Sequence, residues 1–102
     1  MLFSITVSYS RPPEEVKEHL DGHKDWLVRH IKSGTIIVAG PLKSGDGGFI
    51  LAHAEDLASI ETMITEDPFD RHRVAVFDIQ TCTPAIRAAG FPEHWAAGAK
   101  SV

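Results

Sequence analysis

The sequence predicts a single α+β domain, with two helices covering one face of a four-stranded antiparallel sheet in the order β-α-β-β-α-β. Three observations carry this reading. Phe3, Ile5, Val7 and Tyr9 alternate with Ser4, Thr6 and Ser8; two later stretches repeat apolar residues at spacings of three and four; and three further runs are rich in β-branched and aromatic residues. With 102 residues, 43% of them hydrophobic, the chain fits one compact core and has no room for a second.

The alternation from Phe3 to Tyr9 has the period of a strand with one face more buried than the other. Arg11-Pro12-Pro13 interrupts it, and Glu14, Glu15 and Glu18 put negative charge where a helix start favours it. The spacing predicts a first helix from there to about Ser33, with Val16, Leu20, His23, Leu27 and Ile31 on one core-facing stripe and Gly34 as its stop. His23 is the polar interruption of that stripe, and His19, Trp26 and His30 lie beside it. Gly22 costs a helix interior roughly 1 kcal/mol relative to alanine, which points to close packing there.

Thr35 to Ala39 is a β-branched run ended by Gly40-Pro41, predicted as a strand buried on both sides. Gly45-Asp46-Gly47-Gly48 supplies turn chemistry before a third strand, Phe49 to His53, so the two runs form an antiparallel hairpin with a longish loop. That loop lacks the Lys-Ser/Thr ending of a phosphate cradle and no helix follows it, so it is assigned to the rim of a pocket. Asp56 suits the N-cap of a second helix with Leu57, Ile60, Met63 and Ile64 as its buried stripe. Pro68 ends that helix, which puts Asp67 at a helix C-terminus, with Asp70 to Arg73 as a polar connection. Val74 to Cys82 is the fourth strand. Pro84, Gly90, Pro92 and Gly98 break any long element beyond it, so the chain divides into a domain of residues 1–82 and a tail of residues 83–102 with an exposed Trp95, free to pack on a partner subunit.

The uncovered sheet face carries either the Phe3/Ile5/Val7/Tyr9 set or its alternate. A second copy of the chain, packed sheet to sheet, is the simplest cover, so a homodimer is expected. The formal net charge of -4 argues against a nucleic-acid partner. A lone Cys82 can form no intrachain disulfide, and the opening Met-Leu-Phe-Ser-Ile-Thr-Val has neither the basic start nor the apolar core of a signal peptide, so the expected location is cytoplasmic. The longest apolar runs, such as Ile36 to Ala39, are too short to span a membrane.

Four segments in order, His23-Lys24-Asp25-Trp26-Leu27, Ala39-Gly40-Pro41-Leu42, Gly47-Gly48 and Asp67-Pro68-Phe69, resemble the YciI-like family over residues 1–82. The resemblance implies a ferredoxin-like fold that dimerises into an α/β barrel, and a His/Asp pair in a pocket that falls on His23 and Asp67 here. In one characterised branch, dehydrochlorinases of chlorinated hydroxyhydroquinones, such a dyad is proposed to be catalytic. Related barrels include muconolactone isomerases and small monooxygenases of polyketide-like phenols. The tail lies outside the pattern.

An imidazole ordinarily titrates at about pH 6.5, so a carboxylate within hydrogen-bonding reach can hold one tautomer and stabilise the imidazolium. On a phenolic substrate His23 would remove a hydroxyl proton while Asp67 orients it. The expected function is a small cofactor-independent enzyme of the dehydrochlorinase, lyase or isomerase type, acting on a hydroxylated aromatic or lactone-like metabolite. A non-catalytic small-molecule-binding or accessory protein would use the same pocket without turnover.

Trp26 and Phe69 are candidates for an aromatic wall, with Pro41 beside them, and Arg73, together with Arg11, Arg71 and His72, for a cationic fringe. Core packing is the alternative for the aromatic residues and ordinary solvated charge for the cations. For His23 the alternative is a core histidine satisfied by backbone groups, and for Asp67 a turn or capping carboxylate. His19 and His23 have the i, i+4 spacing that can share an ion, but two ligands do not make a closed site, and no metal is expected.

Overall fold

A computed structural model describes residues 1–102. Strand β1 (Leu2–Tyr9) leads into helices α1 (Pro13–Glu18) and α2 (Leu20–Lys32), then the β2 (Ile36–Pro41) and β3 (Gly47–His53) hairpin. Helices α3 (Leu57–Thr65) and α4 (Pro68–Arg71) precede β4 (Ala75–Cys82), and the tail adds β5 (Ile86–Arg87), a 3₁₀ turn at Glu93–Trp95 and β6 (Lys100–Ser101). The main sheet runs β2-β3-β1-β4 with every pair antiparallel, so β1 is central between β3 and β4. This is the ferredoxin-like order, split by the β2–β3 hairpin. No helix is long and apolar enough to cross a membrane.

Register decides which face is core. Ile5 stands opposite Ile50 on β3 and Ile79 on β4, while Val7 stands opposite Gly48 and Phe77. Directly opposed residues share a face, so the Phe3/Ile5/Val7 set turns toward the helices. It packs there with Trp26, Ile60, Met63, Ile64 and Phe69. The opposite face presents Ser4 and Thr6 beside Gln80 and Asp78, with the apolar Phe49, Leu51, Val38 and Val76 toward its margins. At the start of α3, Asp56 accepts the Ser59 backbone N–H at 2.8 Å as the expected N-cap. That bond, with a second from the Ser59 hydroxyl, holds the Asp56 carboxyl below the usual carboxylate range.

Several expectations need correction. The first helix is two helices, because His19 leaves the helical region at φ -111° and ψ 5°. Its ring stacks on His72 at 3.9 Å. A one-residue break keeps Val16 and His23 on the buried side, so the apolar spacing does not register it. On α2 the core position belongs to Trp26, 1% exposed, while Ile31 is 43% exposed. The indole N–H of Trp26 donates to the Met63 carbonyl at 2.9 Å, which lets a large amphipathic ring lie fully inside.

Strand β2 is an edge strand with one face uncovered, not a strand buried on both sides; Val38 is 53% exposed, next to an irregularity in the pairing. Residues 70 and 71, expected in a connection, belong to α4. In the tail Trp95 is half-buried, its ring 5.5 Å from Phe91, and Ala96 is buried.

Candidate functional site

The second long helix ends before Pro68 as expected, and Asp67 at its C-terminal end takes on a further role. With φ -74° and ψ 126° Asp67 is extended, and Pro68 at the first helical position starts α4 at once. Asp67 therefore serves two helices: it follows the C-cap of α3, its N–H donating to the Ile64 carbonyl at 2.9 Å, and it is the N-cap of α4, its Oδ1 accepting the Phe69 backbone N–H at 3.0 Å. The unpaired backbone N–H groups of α4 favour a carboxylate there, while the C-terminus of α3 opposes it.

Helix α2 crosses α4 at Gly22. A Cβ built there would stand 3.0 Å from Pro68 Cγ, so glycine gives the closest approach of the two helices. One residue on, His23 Nδ1 lies 2.9 Å from both Oδ1 and Oδ2 of Asp67. The carboxylate is completely buried. Phe69 stacks on the imidazole at 3.9 Å with the planes 5° apart, and Tyr9 meets Phe69 edge-on at 5.9 Å. Trp26 lies 5.7 Å from the imidazole on the core side of α2. The ring is thus held by stacking as well as by its hydrogen bonds.

A carboxylate only accepts, so Nδ1–H is the donor. In the neutral ring that leaves the lone pair on Nε2, which has no hydrogen-bond partner in the protein and is not sealed from solvent. His23 forms part of the wall of a cavity of about 450 Å³ between the helices and the sheet. Leu20, Lys24 and Leu27 of α2 make one side of it, and residues 39–41 and 47–50, beside the turn of the hairpin, make the other. A Cβ on Gly47 would fall 1.8 Å from the Val7 carbonyl oxygen, so only glycine lets β3 lie against β1 here.

The structure brings His23 and Asp67 into contact, and it sets Phe69 and Pro41 in the cavity wall. It does not bring Trp26 or Arg73 there. Trp26 is a core residue joined to Met63, and Arg73 sits in the left-handed region at φ 55°, with its carbonyl accepting the Ser10 hydroxyl at 3.2 Å. Arg11 is bound to Glu15 at 2.6 Å, a hydrogen bond that holds the Glu15 carboxyl below its usual range. His72 is stacked on His19. Lys24, Leu20, Leu27 and Tyr9 were not singled out as site residues. Leu20, Lys24 and Leu27 follow one another at spacings of four and three, which marks a shared helix face beside His23 without telling a cavity from packing. Nowhere do three histidine, cysteine or carboxylate side chains converge as a metal centre requires.

Fold and site together define a ferredoxin-like domain with a buried imidazole–carboxylate pair opening on a helix–sheet cavity. Residues 1–82 match the YCII-related domain, and the chain belongs to that family. Among curated proteins none matches it.

Among solved structures it is similar to the 5-chloro-2-hydroxyhydroquinone dehydrochlorinase of Burkholderia phenoliruptrix AC1100 in complex with 2,5-dihydroxybenzoquinone. The TM-score is 0.67 at 21% identity, over 83% of this chain and 96% of that one. A muconolactone isomerase is also similar, with a TM-score of 0.65 at 13% identity, over 88% of this chain and 93% of that one. Likeness at these identities is likeness of fold.

Proposed function

We propose that this protein is a cofactor-independent acid/base enzyme acting on a hydroxylated aromatic or lactone-like compound, with His23 as the proton carrier and Asp67 as the residue that positions it. The observation that carries the reading is the asymmetry of the imidazole: Nδ1 is tied to a buried carboxylate while Nε2 is left without a partner beside a ligand-sized cavity.

For a halogenated quinol, Nε2 takes a hydroxyl proton and returns it to the ring carbon that bears the halogen. Removal of a second hydroxyl proton then expels halide with the carbon–halogen electron pair. The net change is loss of HX and formation of a quinone, and no oxidant is consumed. For an isomerisation the same nitrogen removes a proton from one carbon and delivers it to another. Asp67 stabilises the imidazolium in both cases, and general-base assistance of this kind contributes about 10²- to 10⁴-fold.

Residues 1–82 are the functional unit in this reading, which works as a cytoplasmic homodimer with the two uncovered sheet faces together. The known fold partners support the substrate class, since one is a dehydrochlorinase of a hydroxyhydroquinone and the other an isomerase of a lactone. Chloride release from 5-chloro-2-hydroxyhydroquinone and isomerisation of muconolactone are the assays. Activity in either that is lost in both His23→Gln and Asp67→Asn supports the proposal. Saturable binding without product would make the protein a binding module instead. Sedimentation equilibrium checks the dimer; a monomer at high micromolar concentration would refute the sheet-to-sheet pairing.

A further inference from the structure

We infer that the ligand of this cavity is an anion, and that Lys24 is the residue that selects it. The inference rests on the reading of the cavity as the ligand site and adds the charge of what it takes. Among the side chains that line the cavity only three are polar: Tyr9, His23 and Lys24. Lys24 is the single formal charge among them, and no carboxylate lines the space. The negative charge of Asp67 is buried behind the imidazole to which it is bonded.

Lys24 is also uncommitted, since the ion pairs of the protein are made by Arg11, His23, Arg29 and His30. On a chain of formal net charge -4, a cavity with one free ammonium and no acid is a local reversal of sign. Such a reversal favours an anionic ligand over a neutral one of the same shape.

The remaining wall fits this division of labour. Residues 39–41 and 47–48 are Ala-Gly-Pro and Gly-Gly, which offer backbone and small apolar surface suited to the face of a flat ring. Apart from the Tyr9 hydroxyl on β1, the polar groups of the wall lie on the α2 side, where the imidazole and the ammonium are sequence neighbours. Lys24 is exposed, and an exposed ion pair is worth little. A ring filling the cavity excludes water from one side of the ammonium, which strengthens its bond to a carboxylate or phenolate.

The test uses the full chain and two probes of nearly equal shape, 2-hydroxybenzoate and 2-hydroxybenzamide, titrated calorimetrically near neutral pH. The acid is expected to bind about tenfold more tightly than the amide. Lys24→Gln is expected to abolish that preference, whereas Lys32→Gln, an equal change in net charge in the last turn of α2, is expected to keep it. Equal affinities in the wild type, a preference that survives Lys24→Gln, or no binding of either probe would each overturn the inference. Binding preference and turnover are separate readouts. Loss of the anion preference leaves the His23/Asp67 chemistry standing, and loss of that chemistry leaves the preference standing.

Discussion

Two histidine–carboxylate pairs join α2 to the segment that follows α3, and at first sight they are alike. His23 Nδ1 lies 2.9 Å from Asp67, and His30 Nε2 lies 3.0 Å from Glu66. Their surroundings differ in every respect that matters for chemistry. The Asp67 side chain is wholly buried and also caps α4, whereas that of Glu66 is 48% exposed and has Arg29 at 3.6 Å as a second cation.

The orientation of the ring differs too. His30 spends its Nε2 on the carboxylate, while His23, which lines the cavity, spends its Nδ1 and leaves Nε2 without a protein partner. The second pair does line a hollow of about 400 Å³, together with His53, Ser59 and Thr62. There, though, the His53 ring nitrogen is also occupied, bonded to the Gly34 carbonyl at 2.6 Å. Hydrogen-bond length therefore does not distinguish the buried pair from the surface one; burial of the acid and the identity of the unpartnered nitrogen do.

Stability should separate the pairs most strongly. His23→Ala leaves a fully buried carboxylate with the Phe69 N–H as its one remaining partner, and a buried acceptor that loses its donor costs about 1–3 kcal/mol. Urea denaturation of His23→Ala is expected to show a loss of that size, and a loss under about 1 kcal/mol would mean that Asp67 is not held as described. Gly22→Ala should have an intermediate effect. The added methyl meets Pro68, so α2 has to move by a few tenths of an ångström, and kcat/KM is expected to fall several-fold with little change in melting temperature. An unchanged rate would show that the dyad tolerates that displacement. Glu66→Gln should do least. Half-exposed pairs contribute about 0–1 kcal/mol, with solvent screening favouring the low end, and a loss above that range would erase the contrast between the two regions.

Much of the fold was legible because local periods carry it. The alternation of β1, the stripe of α3 and the Gly-rich hairpin each depend on neighbours in sequence. The parts that were not legible depend on contacts distant in the chain. Nothing local in residues 35–39 says that β2 lies at the sheet edge, because strand order is set by how β1 inserts between β3 and β4. Trp26 is a core residue because a carbonyl 37 positions away receives its N–H.

At the site, the His23 stripe position and the Asp67-Pro68 stop signal were visible, and the family resemblance connected them. Their mutual distance was not, because it depends on the Gly22–Pro68 crossing. The double role of Asp67, past the end of α3 and at the start of α4, shows the limit of a local signal. Proline announces a boundary, and the residues after it decide whether the carboxylate also serves the next helix.

The most direct measurement compares kcat/KM for chloride release from 5-chloro-2-hydroxyhydroquinone in Asp67→Asn and Glu66→Gln against the wild type. A fall of about 10²- to 10⁴-fold in the first with a rate within twofold in the second is the predicted result. Equal rates in all three proteins, or equal losses in the two variants, would contradict the assignment of acid/base work to the buried pair.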